Sequence, residues 1–303
     1  MTILVAGSTG LVGSTVIEEY RKRGISVVGI NSSDVDLTNR TATFDYISTL
    51  KPSLIIDAAA KVGGIMANAT YPVDFLSRNL QIQTNLIDAA HNANVERFIF
   101  LGSSCIYPKE CAQPIKESYL LTGPLEKTNS PYALAKISGI ELIKSYRNQY
   151  GKKWISVMPT NLYGPRDNFD PNSSHVLPGM INKFIAARNS DSKSVELWGD
   201  GTPTREFLLA ADLAKALIFL SESYDSDDII NIGTGIETSI KHLANLIANE
   251  TRYSGEIKWD TSKPNGTMRK VLDVSKIKDL GWRPENTLSQ GIKETIEWYE
   301  SNK

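Results

Sequence analysis

Tyr132-Ala133-Leu134-Ala135-Lys136 places a phenol and an ammonium four residues apart. On a helix that spacing sets them on one face, about 6 Å apart along the axis. A phenol with its ordinary pKa near 10 is a poor acid or base at neutral pH, and a neighbouring cation stabilises the phenolate and draws that value toward the working pH. Alone, the pair is common surface sequence. Ser103 changes its meaning: it ends the apolar run Phe98–Gly102, at the carboxyl edge of a strand where open α/β proteins bind ligands, and its hydroxyl can orient a carbonyl beside the phenol.

A third feature supplies the reaction partner. Gly7-Ser8-Thr9-Gly10-Leu11-Val12-Gly13 directly follows an apolar strand and opens a helix. Gly7 allows the tight turn, Gly10 lets a pyrophosphate approach the backbone, Gly13 lets helix pack on strand, and the helix N-terminus offers N–H donors with a positive dipole. A dinucleotide is expected there, on all seven residues of the loop. After the second strand comes Asn31-Ser32-Ser33, with no Asp or Glu to grip a ribose 2′-hydroxyl, so NADP is expected and Asn31 and Ser32 are candidate donors to its 2′-phosphate. Asp36-Leu37 reads either as an adenine contact or as a solvated loop carboxylate beside an apolar neighbour.

The elements that must hold these groups show in the hydrophobic pattern. Strands are expected at Ile3–Ala6, Ile25–Ile30, Leu54–Ala59, Phe98–Gly102 and Ile155–Pro159, and helices at Leu11–Lys22, Thr41–Leu50, Val73–His91 and Tyr132–Tyr150. Such alternation predicts an α/β fold, a Rossmann-type doubly wound parallel sheet. From about residue 165 the alternation weakens, Pro and Asn gather through Asn168–Pro178, and Ile229–Ile232 reads as an isolated strand. A smaller α/β C-terminal substrate lobe is therefore expected over 165–303, with 1–164 and returning segments near 205–235 forming the dinucleotide-binding domain.

Composition excludes several classes. The 303 residues are 41% hydrophobic and 22% charged, and 33 Lys+Arg against 34 Asp+Glu leave a net charge of −1, without the basic field that nucleic acid needs. No apolar run approaches the roughly 18 residues of a membrane span, and the short run Met1–Ala6 enters the glycine turn without the charged start of a signal peptide, so a cytoplasmic protein is expected. Two cysteines six apart and three scattered histidines fit neither a disulfide framework nor a metal pattern, and Cys105 and Cys111 are expected to be reduced.

In the order glycine loop, strand-end serine and Tyr/Lys helix, the chain resembles the extended short-chain dehydrogenase/reductase family. A closer resemblance, to the GDP-L-fucose synthases within it, rests on Lys61-Val-Gly-Gly-Ile65, Gly102-Ser-Ser-Cys-Ile-Tyr-Pro-Lys109, Pro159-Thr-Asn-Leu-Tyr-Gly-Pro165, Asp167-Asn-Phe169, Ser174-His-Val176 and Arg205-Glu-Phe207. It implies a reductase triad of Ser103, Tyr132 and Lys136, an epimerisation pair of Cys105 and His175, and further cofactor contacts from Ala59, Pro159, Asn161, Leu162 and His175. It also implies substrate contacts from Ser104, Asn161, Lys183, Trp198, Arg205 and Lys263, and a homodimer paired through the two long helices. The implied reaction converts GDP-4-keto-6-deoxy-D-mannose to GDP-L-fucose with NADPH, by 3,5-epimerisation and 4-reduction. A thiolate and an imidazolium titrate near enough to neutral pH to move protons beside a ketone. Two alternatives stand: a related GDP-keto-deoxy-sugar or GDP-heptose reductase/epimerase, and a non-catalytic NADP-sensing protein. The chain departs from the pattern at 208–212, at Arg166 and at Asp170, the last two flanking the expected substrate loop.

Overall fold

The computed structural model describes residues 2–302 except Asn172 and Pro264. Met1 of the opening apolar run and Asn172 of the Pro/Asn-rich stretch lie outside the described residues.

The chain runs β1 (Ile3–Ala6), α1 (Leu11–Lys22), β2 (Val27–Ile30), α2 (Arg40–Leu50), β3 (Leu54–Asp57), α3 (Ile65–Thr70), α4 (Asn79–Asn92), β4 (Arg97–Leu101), α5 (Ser130–Tyr150), β5 (Lys153–Pro159) and β6 (Asn161–Tyr163). It continues with α6 (Val176–Asn189), β7 (Ser194–Trp198), β8 (Thr204–Arg205), β9 (Phe207–Leu209), α7 (Ala210–Ser223), β10 (Ile230–Ile232), β11 (Thr238–Ser239), α8 (Ile240–Glu250), β12 (Glu256–Asp260), β13 (Arg269–Lys270), α9 (Ser275–Asp279) and α10 (Leu288–Ser301). Six parallel strands form the main sheet in the order β10-β5-β4-β3-β1-β2, the Rossmann arrangement that the alternation predicts. β1 and β3 are buried along their whole length, as strands covered by helices on both faces must be.

Differences from expectation have local causes. The run Val73–His91 is not one uniform helix: a π-turn spans Asp74–Arg78 before α4 begins. Buried Asn79 holds that wider turn, its amide donating to Phe75 O at 2.7 Å and to Lys61 O at 3.0 Å. β3 stops at Asp57, whose carboxylate accepts the Ala59 N–H at 3.1 Å and turns the chain. Ile230–Ile232, set between helices in sequence, pairs with β5 as the sheet's edge, Ile232 opposite Pro159.

A second apolar core forms beyond the sheet. Tyr163, Leu177, Ile181 and Phe184 pack there with Leu243 and Ile247 of α8, Ile292 and Ile296 of α10, and Phe207 and Leu209 of β9. Three small sheets edge it: β11-β8-β13, β12-β7 and β6-β9. The carboxyl ends of the main sheet carry the glycine turn after β1, the turn after β2 and Ser103 after β4.

Candidate active site

The glycine loop has the form its sequence demands. Gly7 takes φ +80°, and a Cβ there would lie 2.7 Å from Ala58 O, while one on Gly13 would lie 2.1 Å from Gly7 O. Gly10 is different: an added Cβ would make only an ordinary contact, 3.5 Å from Gly7 O. Internal packing therefore does not demand glycine at that position, whereas a ligand laid on the turn would. Gly10 also caps α1 without a side-chain bond, and the first intrahelical bond runs from Ser14 N–H to Gly10 O at 3.0 Å. The N–H groups of the first turn, Leu11 to Gly13, are left for an anion such as a dinucleotide pyrophosphate, so the residues present fit that group.

The turn after β2 differs from its sequence reading. Asn31 Oδ1 accepts from Ser33 N and Oγ at 2.7 Å, and the Asp34 carboxylate folds back to accept the Asn31 N–H at 2.9 Å. A carboxylate thus sits one residue beyond Asn31-Ser32-Ser33, closing back on an Asx turn that the Asn31–Ser33 bonds already form. Ser32 is exposed. Asp36 is exposed and accepts from Thr38 N at 3.0 Å and Thr38 Oγ1 at 2.8 Å, bonds that hold its carboxyl below the usual range. It behaves as the loop carboxylate of the two readings. Leu37 is buried in the main core, leaving its backbone as its polar surface.

Ser103, Tyr132 and Lys136 do come together. β4 ends at Leu101, Gly102 admits the Met158 side chain where a Cβ would stand 2.4 Å from Sδ, and Ser103 caps the next turn by accepting the Cys105 N–H at 3.1 Å. The Tyr132 ring lies edge-on to Phe75, the centres 6.5 Å apart, and its phenol faces Ser103. Burial pushes its pKa well up, the Cys105 thiol adds to that, and Ser103 opposes it. Lys136 is engaged by the end of β4. It donates to Leu101 O at 2.7 Å, lies 4.7 Å from the Phe100 ring centre, and faces Asp57. Burial drives the Lys136 pKa down and pushes Asp57, 0% exposed, up to about 6; each charge opposes the other's shift.

Cys105 and His175 arrive by separate routes. Cys105, two residues beyond Ser103, is half-buried, and Lys270 of β13 points its ammonium at Sγ from 3.5 Å. His175 caps α6 and reaches solvent at its edge; crowding by protein, then the Lys270 charge, hold its pKa below the usual imidazole value. The Lys61–Gly64 loop closes on this segment, since Gly64 N donates to Ser173 O at 3.3 Å and a Cβ on Gly64 would lie 3.1 Å from Ser174 O. Lys270 lies opposite Arg205 in the β13–β8 ladder.

At the far end, Trp198 is 60% exposed with Lys263 Nζ 5.8 Å from its ring centre, and Lys183 reaches Glu196 O at 3.3 Å. Arg205 donates to Thr204 O at 2.8 Å, and burial lowers its pKa. An exposed indole with cations around it is a platform for a base or ribose and its phosphates. Asn161 already donates its amide to Glu206 O at 2.8 Å; Ser104 and Pro159 are buried, and Leu162 and Ala59 are half-buried.

Residues 3–233 match the NAD dependent epimerase/dehydratase family. The chain belongs to that family. A GDP-L-fucose synthase from Sinorhizobium fredii is 48% identical, over 99% of this chain and 96% of its own. Among solved structures, a GDP-L-fucose synthetase from Naegleria fowleri bound to NADP superposes with a TM-score of 0.93 at 32% identity, covering 99% of this chain and 93% of that one. A GDP-6-OMe-4-keto-L-xylo-heptose reductase from C. jejuni gives 0.94 at 34% identity, over 100% and 98%.

In this member of the epimerase/dehydratase family, the residues that sequence reasoning missed are mostly those that hold others. Asn79 pins Lys61 from both sides, accepting its N–H at 2.7 Å and donating to its carbonyl. Buried Glu206 accepts from Gly235 N at 2.7 Å and Leu272 N at 2.9 Å, tying the loop after β10 to the strand that carries Lys270. Asp57 and Lys270 meet candidate groups directly. Asp57, Asn79 and Lys270 lie in no local motif, and Glu206 sits inside Arg205-Glu206-Phe207 with no role of its own in that pattern; each acts on a segment distant in sequence.

Proposed function

We propose that this chain converts GDP-4-keto-6-deoxy-D-mannose to GDP-L-fucose, as a 3,5-epimerase and 4-reductase using NADPH. The observation that carries the reading is the juxtaposition at one strand end of Ser103 facing the Tyr132 phenol, with the Cys105 thiol two residues on. Bound NADPH supplies the hydride to C4″. The chain's residues do the rest. Ser103 holds the keto oxygen and Tyr132 gives that oxygen its proton; a phenol kept protonated by burial is in the right state to donate.

The protons on C3″ and C5″ are acidic because each adjoins the C4″ ketone. Cys105 takes a proton from one face, the electrons pass into an enolate whose oxygen Ser103 holds, and His175 returns a proton to the other face. A pKa held below the ordinary imidazole range makes the His175 imidazolium the stronger acid and, at neutral pH, the less populated form. Lys136, fixed by Leu101 O, is placed for the nicotinamide ribose; Lys183, Trp198, Arg205 and Lys263 take the GDP end. Identity of 48% to a GDP-L-fucose synthase over nearly the whole chain supports this substrate. The TM-score of 0.94 to a GDP-heptose reductase favours, as the second reading, reduction of a related GDP-linked keto sugar or heptose.

Two further elements belong to the proposal. A homodimer through α4 and α5 would cover Leu134 and Tyr150, both exposed on α5. A cytoplasmic setting accords with the sequence, and among the described residues no helix is long and apolar enough to cross a membrane. The deciding experiment incubates the protein with GDP-4-keto-6-deoxy-mannose and NADPH and identifies the sugar formed. GDP-L-fucose is expected; a D-configured 6-deoxyhexose, or no turnover, would refute the bifunctional assignment.

A further inference from the structure

A cleft of about 550 Å3 opens beside the glycine turn, lined among others by Ser8, Thr9, Ser14, Glu18, Arg21 and Arg166. Ser14, Glu18 and Arg21 share one face of α1, spaced by four and three residues. Arg166 comes from the loop after β6. It takes φ +66° and donates to Glu18 Oε2 at 3.1 Å. In sequence Arg166 flanks the expected substrate loop; the fold brings it against Glu18 of α1 at the edge of this cleft. Arg21 has no ion-pair partner among the described residues.

We infer that Arg166, assisted by Arg21, holds the 2′-phosphate of NADPH and so sets the cofactor preference; this rests on the proposed use of NADPH. The pyrophosphate belongs at the N-terminus of α1, on the Gly10 side. The cleft lies at Ser8 and Gly29, where the first strand's turn meets the second strand, and in a Rossmann unit that junction receives the adenosine ribose. A ligand group suited to two guanidiniums and the Ser8 and Thr9 hydroxyls is a phosphate dianion. The turn after β2 cannot supply the needed charge, because Asp34 presents a carboxylate there and Asn31 Oδ1 is taken by Ser33. The cation must then come from elsewhere, and Arg166 does so. Among the described residues, one carboxylate lines the cleft, Glu18. Glu18 holds the Arg166 side chain over the cleft and leaves its remaining N–H groups for the phosphate.

Equilibrium binding tests this without turnover, using NADPH, NADH, adenosine 2′,5′-bisphosphate and 5′-AMP as titrants of the full chain. Arg166→Met should weaken NADPH and the bisphosphate roughly tenfold to a hundredfold, the range lost with a hydrogen bond to a charged group, and move NADH and 5′-AMP less than about twofold. Arg21→Met should do the same more weakly, and Arg166→Lys should recover part of the loss. Both arginines are exposed, so unchanged thermal midpoints are expected. Equal losses for both cofactors, or an unchanged NADPH/NADH ratio in Arg166→Met, would overturn the assignment. A wild type that binds NADH as tightly as NADPH would overturn the NADPH reading itself, a result distinct from either.

Discussion

The two halves of the candidate site are built on opposite plans. Ser103, Tyr132 and Lys136 sit at the end of β4 and on α5: Lys136 is buried and fixed by Leu101 O, and half-buried Tyr132 packs edge-on against Phe75 and faces Ser103. Cys105, His175 and Lys270 belong to three segments far apart in sequence, Cys105 and Lys270 half-buried and His175 exposed, with polar ties from Asn79, Gly64 and Glu206 around them. The difference suits their proposed chemistry. A reduction needs one proton delivered along one line, so its donor is kept enclosed and in a single state. Epimerisation needs protons exchanged with solvent on two faces, so its groups stay near water and depend on loops for their separation.

The sharpest way to break the comparison is to silence one half and ask whether the other survives. Tyr132→Phe should lower reduction by roughly 10²–10⁴, the usual worth of a positioned acid, while both ligands still bind and deuterium still enters C3″ and C5″ from solvent. Cys105→Ser should do the reverse. A hydroxyl is far too weakly acidic to replace the thiolate, so exchange collapses while the assembled Ser103–Tyr132 pair reduces the unepimerised sugar to a D-configured 6-deoxyhexose. His175→Gln should impair the same exchange. If Cys105→Ser still exchanges deuterium at the wild-type rate, the division into halves is wrong and Cys105 is a packing residue.

Legibility follows the same line. The glycine loop, the strand-end serine and the Tyr/Lys helix were readable because each is a local pattern that one strand–helix unit enforces, and their strands fall within two residues of expectation. The second half was not readable from periodicity. Nothing near Lys270 says that it will meet Cys105, since the encounter depends on β13 pairing with β8. Nothing beside Arg166 announces that it will meet Glu18 of α1, 148 residues away. Ile230–Ile232 shows in sequence only as a strand between helices, and its partner, β5, is a tertiary fact.

A middle-sized effect tests whether the second half really hangs on its polar ties. Glu206→Gln keeps the volume but turns one acceptor into an amide donor facing Gly235 N–H or Leu272 N–H. One buried N–H then loses its partner, at a cost of about 1–3 kcal/mol. Urea unfolding should register that loss, and KM for the GDP-sugar should rise several-fold through displacement of Arg205 and Lys270. The KM for NADPH should hold, because the glycine loop and α1 lie on the other unit. An equal rise in both would show that the two halves are not independently held.

The smallest expected effect concerns the one buried charge pair in the first half. Burial pushes Asp57 up to about 6, against the Lys136 ammonium that opposes the shift, and one of its oxygens, Oδ2, has no hydrogen-bond partner. A carboxyl whose folded pKa exceeds its unfolded value near 4 contributes stability that is fully present below pH 4 and is lost as pH rises through about 6. Asp57→Asn keeps an acceptor for Ala59 N–H but cannot ionise, so it should remove that pH dependence, on the order of 2 kcal/mol between pH 4 and pH 8 at most. Activity should respond with the opposite sign. Below about pH 6 the wild type protonates Asp57, and Lys136 loses the charge that keeps it an ammonium in a desolvated place. The wild-type reduction rate should therefore fall on the acid side through that value. Asp57→Asn should run a few-fold slower at pH 8 and show no such limb. Matching acid limbs in the two proteins would mean that Lys136 is held in its state by Leu101 O alone, and that even the enclosed half relies on a single backbone acceptor.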